Sequence, residues 1–376
     1  MKTARYKTAV ATSRFLSPEQ LDARILNLIA CGVQRRCPDT EFNQLALLLF
    51  RHQFDRNQPY RRYCESLSCR PTNVGHWTQI PAVPTTAFKD AELTTLQPAE
   101  RIVVFHSSGT TEQRPSRHFH SMATLALYEE ALWPMFAARV TGDEWRVRGS
   151  YQLVILTPTP AEAPHSSLVH MMETVRRRLG ASFSAFVGAT VLKHGRALLS
   201  KLRSTLHALR SEPPVFLLGT AVAFVRLLDA IKTLPLPPRS RVMETGGYKG
   251  CSREMPREEL HAQLSAKLGV PRSAIISEYG MCELSSQFYT RTTHHAPRSM
   301  IFTDPPWVRV QIINPETGRE AREGGHGLIR IFDLANRGSV IAIQTEDIGV
   351  RHGDGFELIG RAPQAETRGC SLMVPA

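Results

Sequence analysis

Residues 105–111, Phe105-His106-Ser107-Ser108-Gly109-Thr110-Thr111, read FHSSGTT and close the apolar run Ile102-Val103-Val104-Phe105. A strand that ends in small hydroxyl residues around one glycine gathers several backbone N–H groups in a tight loop. Gly109 lets that backbone approach a ligand closely. Such a loop fits phosphate. The same residues also make an ordinary Ser/Thr turn, and neither Walker A nor GxGxxG spacing is present, so the rest of the chain has to decide between the two.

Working outward from this loop, strand and helix patterns alternate. Strands are expected at 101–105, 153–156, 215–218, 241–243 and 274–276, with helices at 122–138, 167–179 and 191–210. This alternation predicts an α/β fold with a mainly parallel central sheet and flanking helices. On the N-terminal side, Ser17-Pro18-Glu19-Gln20 combines an N-cap, a proline at the first helical position and a capping-box glutamine. Leu21, Ile25, Leu28 and Ile29 then share one face. A second helix is expected at 41–54, and the prolines of Ile80-Pro81-Ala82-Val83-Pro84 enforce an extended segment. From Trp307 onward, VRVQII, GLIRIF, SVIAIQ and FELIG read as short antiparallel strands. The predicted division is a helical region 1–90, an α/β core 91–306, a small β-rich part 307–360 and a mobile tail 361–376.

Composition narrows the function class. A hydrophobic content of 42% with 21% charged residues is that of an ordinary soluble globular chain. No apolar stretch approaches the roughly 20 residues of a membrane helix, and no apolar segment follows the basic first residues as a secretory signal requires. The seven cysteines, at 31, 37, 64, 69, 251, 282 and 370, are odd in number and lack CxxC spacing. That pattern speaks against a disulfide framework or a zinc cage and points to a reducing cytoplasm. Cys31 reads as core, and Cys64 and Cys69 as residents of a polar loop. The net charge of +12 comes from Lys and Arg spread along the chain without interleaved stacking aromatics. It indicates a preference for anionic ligands, not specific nucleic-acid binding. Arg176-Arg177-Arg178 reads as a helix end capped by Gly180, and His165 as a capping or surface residue.

Four further segments decide for phosphate. Met243-Glu244-Thr245-Gly246-Gly247 and Ser277-Glu278-Tyr279-Gly280-Met281-Cys282-Glu283 each follow a strand, Thr345-Glu346-Asp347 precedes Ile348-Gly349, and Gly360-Arg361 closes the last strand. In this order they resemble the motifs of the adenylate-forming superfamily of acyl-CoA synthetases and peptide-synthetase adenylation domains. The phrases IPAVPTTAFKDAEL, SSGTTE, METGGYKG, EYGMCELSSQ, QTEDIG and GRAPQAETRGCSL look like the acyl-protein synthetases of bacterial luminescence, the synthetase component of the fatty acid reductase complex.

The resemblance implies an adenylate-forming large domain and a set of roles. Ser107, Ser108, Gly109, Thr110 and Thr111 would hold the phosphates of ATP, and Gly246 and Gly247 would line the adenine pocket. Tyr279, with Gly280 beside it, would stack on adenine; Glu283 would hold Mg²⁺; Asp347 and Arg361 would meet the ribose. A long-chain fatty acid would become acyl-AMP and then pass to Cys370 as a thioester, for delivery to a reductase partner. The chemistry agrees, because a carboxylate and the α-phosphate are two anions whose approach needs a metal and aimed donors. Arg368 favours the thiolate of Cys370, and Gly369 gives its arm freedom.

Some residues depart from the superfamily pattern. Glu112 stands where the loop usually has glycine and Cys282 where threonine is usual, while the lysine after the loop is missing, leaving Arg114 or Arg117 to supply charge. Only 15 residues follow Arg361, where the superfamily continues into a lid domain of roughly a hundred residues. Two other readings fit parts of the pattern: an acyl- or aryl-CoA ligase, and a non-catalytic nucleotide- or nucleic-acid-binding module.

Overall fold

A computed structural model describes residues 16–107, 114–141, 151–181, 183–189, 213–246, 255–291 and 300–362, with 196, 197, 200, 202 and 204 between them. Helix α1, Pro18–Ala30, opens with the capping box read from the sequence: Gln20 N donates to Ser17 Oγ at 3.3 Å and Ser17 N donates to Gln20 Oε1 at 3.0 Å. Leu21, Ile25, Leu28 and Ile29 are buried as its apolar face requires. Cys31, expected in the core, is exposed instead, because the helix stops there and the chain turns away at Gly32 with φ of +77°. Helices α2, Asp39–Arg56, and α3, Gln58–Ser66, follow. Cys64, expected in a loop, is buried on α3.

The extended segment after α3 supplies strand β1, Val83–Pro84, which pairs parallel with a strand far down the chain, Val83 opposite Ile343. A short helix α4, Ala87–Asp90, leads to β2, Val103–His106, and β3, Arg117–His120. The expected first strand of the central sheet therefore lies elsewhere: β2 and β3 form a two-stranded antiparallel sheet of their own. The chain returns so soon after the loop that the hairpin partner satisfies the backbone of β2 first.

Helix α5, Met122–Phe136, starts from the N-cap Ser121. Strand β4, Gln152–Leu156, then α6, Ser167–Leu179, β5, Phe183–Phe186, and β6, Val215–Thr220, continue the α/β alternation. Gly180 ends α6 in the left-handed conformation (φ +57°), as its position after three arginines predicts. The expected helix at 191–210 falls mostly outside the described residues. Two helices that the sequence reading did not pick out are present, α7, Ala221–Ala230, and α8, Arg257–Leu268, on either side of β7, Arg241–Thr245. Strand β8, Ile275–Tyr279, completes a parallel set in the order β5-β4-β6-β7-β8.

Every residue of β4 is buried, as a strand covered on both faces demands. Alternate side chains go to opposite cores. Leu153, Ile155, Phe216, Leu218, Met243 and Ile276 join the core shared with the N-terminal helices and α5, while Val154, Leu156, Val215, Leu217 and Val242 join that of α7 and α8.

After β8 the sheet turns antiparallel through β9, Phe288–Thr290, β10, Ile301–Thr303, β11, Val308–Ile313, β12, His326–Asp333, β13, Ala342–His352, and β14, Gly355–Arg361. The order across it is β11-β12-β13-β14-β10-β9-β8, so one sheet runs from the small strands into the parallel core. Among the described residues no helix is long and apolar enough to cross a membrane.

The SVIAIQ run becomes a strand only from Ala342. Its first residues are held by helix side chains instead: Gln53 Nε2 donates to Asn336 O at 2.8 Å, Ile341 N donates to Gln53 Oε1 at 2.8 Å, and Asn57 Nδ2 donates to Ser339 O at 3.2 Å. Gln53 is fully buried. Replacing it with leucine strands a backbone donor and an acceptor away from water, and Gln53→Leu is expected to lower the unfolding free energy by about 2–4 kcal/mol. Urea denaturation at neutral pH measures this, and a loss below about 0.5 kcal/mol would show that the loop finds other partners.

Candidate active site

The hairpin β2–β3 carries the hydroxyl-rich loop and closes its neck with two bonds. Ser107 N donates to Ser116 O at 3.2 Å, and Ser116 N donates to Ser107 Oγ at 2.9 Å. The Ser107 oxygen thus helps to close the loop, and its O–H remains to donate. Ser108, Gly109, Thr110, Thr111 and Glu112 lie outside the described residues. Arg117, one of two candidates for the missing cation, is committed to Glu92 at 3.0 Å, and Arg101 holds the same carboxylate at 2.7 Å. His165 packs on this hairpin: its ring stacks on His106 with centroids 4.7 Å apart and its Nδ1 meets Val104 O at 3.1 Å.

Tyr279 ends β8, and its hydroxyl donates to Asp347 Oδ2 at 2.8 Å. Burial pushes that phenol well above its ordinary range, and neighbouring Asp347 adds to the effect. Asp347 lies opposite Arg361 across β13 and β14, with Arg361 Nε 3.4 Å from Asp347 Oδ1. Sequence positions 279, 347 and 361 therefore meet at one point. Gly246, with φ of +78°, ends β7 on the neighbouring strand. Gly247 and Cys370 are outside the described residues.

Glu283 sits in the connection from β8 to β9, nearly buried, and its backbone carbonyl accepts from Asn336 Nδ2 at 2.9 Å. One residue earlier, the carbonyl of Cys282 is 2.7 Å from His118 Nδ1 on β3. A carbonyl only accepts, so Nδ1 carries the proton. This bond ties the hairpin directly to the Tyr-Gly segment, which brings the neck of the hydroxyl-rich loop and Glu283 into one neighbourhood. Sequence reasoning missed His118. The only signal was the alternation Arg117-His118-Phe119-His120, in which the two histidines face inward and are buried.

Behind the site lie two buried carboxyls on adjacent strands. Glu244 contacts Arg257 Nε at 3.2 Å and His261 Nε2 at 3.3 Å, and accepts from Ser277 Oγ. Burial alone would raise its pKa, but the His261 bond and the Arg257 charge bring it below the usual carboxylate value. Glu278 accepts from Thr245 Oγ1, and here burial prevails, pushing the carboxyl up to about 7. The alternation of β8 directs Glu278 and Tyr279 to opposite faces.

The fold is that of the adenylate-forming ligases. The structure aligns with 2-hydroxyisobutyryl-CoA ligase in an open conformation, in complex with 2-HIB-AMP and CoA, at a TM-score of 0.62 and 13% identity, over 96% of this chain and 75% of that one. The post-adenylation state of the same ligase aligns equally, with a TM-score of 0.62. Residues 10–375 match the model of the LuxE acyl-protein synthetase family, and the chain belongs to that family. Two relatives named long-chain-fatty-acid–luciferin-component ligase are similar along most of their length. That of Vibrio harveyi is 22% identical over 359 residues, 92% of this chain and 91% of its own, and that of Aliivibrio fischeri is 22% identical over 339 residues, 86% and 85%.

The His118 bond makes a pH test possible. Burial lowers the pKa of His118 from 6.5 to about 4, so the folded chain resists a proton that the unfolded chain accepts. Its contribution is complete above pH 6.5 and is lost as pH falls towards 4, by about 3 kcal/mol in total. His118→Asn keeps an N–H aimed at the Cys282 carbonyl but does not titrate. Its unfolding free energy is expected to fall less steeply than the parent's across this window, and parallel curves from denaturant titrations would overturn the assignment. Asp333 and Glu278, whose raised pKa values act in the opposite direction, are common to both proteins and cancel in the difference.

Proposed function

We propose that the chain activates a long-chain fatty acid with ATP and carries the acyl group on Cys370. The carboxylate oxygen attacks the α-phosphorus, pyrophosphate leaves, and the acyl-AMP is then attacked by the Cys370 thiolate, which forms the thioester and releases AMP. Adenylation is needed because a carboxylate oxygen is a poor leaving group, whereas AMP departs readily. The observation that carries this reading is the convergence of three remote segments: the hairpin of the hydroxyl-rich loop, the Tyr-Gly segment bound to it through His118, and the Asp347–Arg361 pair bound to Tyr279. Family membership and the names of the two relatives support the same reaction class.

Within this proposal, Ser107 to Thr111 cradle the phosphates of ATP, and Gly246, Gly247, Tyr279 and Gly280 border the adenine. Asp347 and Arg361 take the ribose hydroxyls. Among the described residues no group of three or more His, Cys, Asp or Glu forms a metal cage. Mg²⁺ bound mainly by phosphates needs only one or two carboxylates, and Glu283, whose backbone is fixed by Asn336, fits that need. The ion would offset the repulsion between carboxylate and phosphate. Among the described residues Cys31, Cys37, Cys64 and Cys69 form no disulfide, in keeping with a cytoplasmic location, and an acyl reductase is the acceptor the thioester suits. In a CoA ligase of the same fold, CoA would replace the internal thiol.

Intact-mass analysis after incubation with ATP, Mg²⁺ and a panel of acids should show an acyl adduct that maps to Cys370. Cys370→Ser should abolish the adduct while ATP–pyrophosphate exchange persists; an adduct elsewhere, or acyl-CoA formed without any adduct, would refute the internal-thiol step. Asp347→Asn removes the charge facing Arg361, and KM for ATP in the exchange reaction should rise about ten-fold, the effect of losing one charge-assisted bond. An unchanged KM would remove Asp347 from the nucleotide site.

A further inference from the structure

The end of helix α3 carries two cysteines that the proposed reaction does not use. Cys69 N donates to Cys64 O at 2.9 Å, and Ser68 N donates to Glu65 O at 3.0 Å. Ser68 itself has a φ of +56°, the left-handed conformation usually given to glycine. Two nested bonds around a left-handed residue make a Schellman cap. Its cap residue is Leu67, so Cys64 lies in the last turn of the helix and Cys69 just beyond it.

This cap brings the two side chains together. The residue in the last turn and the residue that donates to its carbonyl pack side by side, commonly as an apolar contact. Here both of them carry sulfur. Cys64 is fully buried, and Cys69 packs partly buried against the same core. The backbone separation suits a covalent link. With standard bond lengths on either side of the 2.9 Å N···O contact, the two Cα atoms lie no more than about 6.5 Å apart, within the roughly 4.4–6.8 Å that a disulfide spans.

The frame around the pair is held independently of it. Asn73 Nδ2 donates to Ser68 O at 2.8 Å, and Arg70 N donates to Asn73 Oδ1 at 2.7 Å. On the helix side, the Tyr60 and Tyr63 hydroxyls donate to the carbonyls of Pro81 and Ala82, at 2.9 and 3.0 Å. A bond between the sulfurs would fasten a turn that is already closed, and α3 need not unfold to form it.

We propose that Cys64 and Cys69 form a reversible dithiol–disulfide site, oxidised by peroxide and reopened by small thiols. The two sulfurs have different parts. Cys69 is the one that solvent reaches, whereas burial pushes the Cys64 thiol up to about 12 and keeps it protonated. The Cys69 sulfur attacks a peroxide oxygen: its S–O bond forms as the O–O bond breaks, and the displaced oxygen leaves as water with the Cys69 proton. The Cys64 sulfur then attacks the sulfenic sulfur of Cys69. The S–S bond forms as the S–O bond breaks, and the hydroxide leaves as water with the Cys64 proton. Two thiols are oxidised, and one peroxide is reduced to two waters.

Peptide mapping of the full chain tests this, before and after brief treatment with hydrogen peroxide. The oxidant is removed, and the remaining thiols are alkylated in denaturant. Cleavage after Arg62 and Lys89 releases both sulfurs in one peptide, because Arg70 precedes Pro71 and resists trypsin. In the treated chain this peptide should be lighter by two hydrogens, take up no alkyl group and stay joined after a cut at Glu65; dithiothreitol should restore both thiols. Cys64→Ala should instead leave Cys69 as a sulfenic acid that dimedone traps. Cys69→Ser, at the less buried position, should leave Cys64 a free thiol. Alkylation of both sulfurs in the treated parent would overturn the proposal. So would passage of Cys69 to sulfinic acid beside a free Cys64 thiol, pairing of either cysteine elsewhere, or a bridge that forms only in the unfolded chain.

Discussion

The segment Leu334 to Ile341, between β12 and β13, belongs to no strand, and the buried hydrogen bonds that replace a ladder hold the site together. Asp333 accepts from Ser285 N at 3.0 Å, Ser286 Oγ at 2.8 Å and Ala335 N at 2.9 Å. Asn336 donates to the carbonyls of Glu283 and Val340, both at 2.9 Å. Burial pushes the Asp333 carboxyl up to about 6 against the bonds that favour its charge. The polar pairing is needed because buried backbone groups without partners are costly. On the opposite flank, Arg337 makes a two-point ion pair with Asp22 of α1, at 2.7 and 2.9 Å, and Gln53 and Asn57 hold the backbone. The N-terminal helices are therefore more than an appendage, since they fix the loop that fixes Glu283.

Much of this could be read from the sequence where the determinant is local. The capping box at Ser17, the αL glycine at 180 and the turn from α/β to antiparallel strands each depend on a few neighbouring residues. The site was legible as an order of short phrases, each following a strand. Partners chosen across long separations were not legible. Nothing near Val103 shows that its strand pairs with β3 and stays out of the central sheet, and Ser339-Val340-Ile341 has the composition of a strand although Gln53 and Asn57 occupy its backbone. Cys31 read as core because it follows the apolar helix face, but the helix ends at Ala30 and the chain turns away at Gly32.

Because side chains alternate along β8, one strand serves two chemistries. Tyr279 faces Asp347 and the aromatic rings of Phe288, Phe302 and Phe356. Glu278, on the opposite face, turns towards Thr245 of the neighbouring strand, while Ser277, on the face of Tyr279, meets Glu244. The charge of Glu244 is matched by direct contacts with Arg257 and His261 from α8, whereas at Glu278 burial outweighs the Thr245 bond and the Arg257 charge and pushes the carboxyl up to about 7. The difference follows from which helix covers each face. Helix α8 brings basic residues to Glu244, and α5 presents aromatic and aliphatic ones to the layer of Glu278 and Tyr289.

The Asp347–Arg361 pair depends on an irregularity no motif reveals. Across β13 and β14, Gly349 lies opposite Leu358 but Ile348 lies opposite Gly360, so Ile359 is an extra residue, and its side chain is exposed. In regular pairing Asp347 would face Gly360, and Arg361 would lie opposite Glu346. The bulge advances β14 by one residue and reverses its alternation beyond that point. It thereby places the guanidinium beside the carboxylate that Tyr279 already holds. Crowding next to the bulge leaves no room for a side chain at 349, where a Cβ would lie 2.9 Å from Ile329 Cγ1 and 3.1 Å from the carbonyl of Glu357. The Gly349 of the Asp-Ile-Gly phrase is thus a packing requirement of the bulge, and through the bulge it aligns the two charged side chains of the motif.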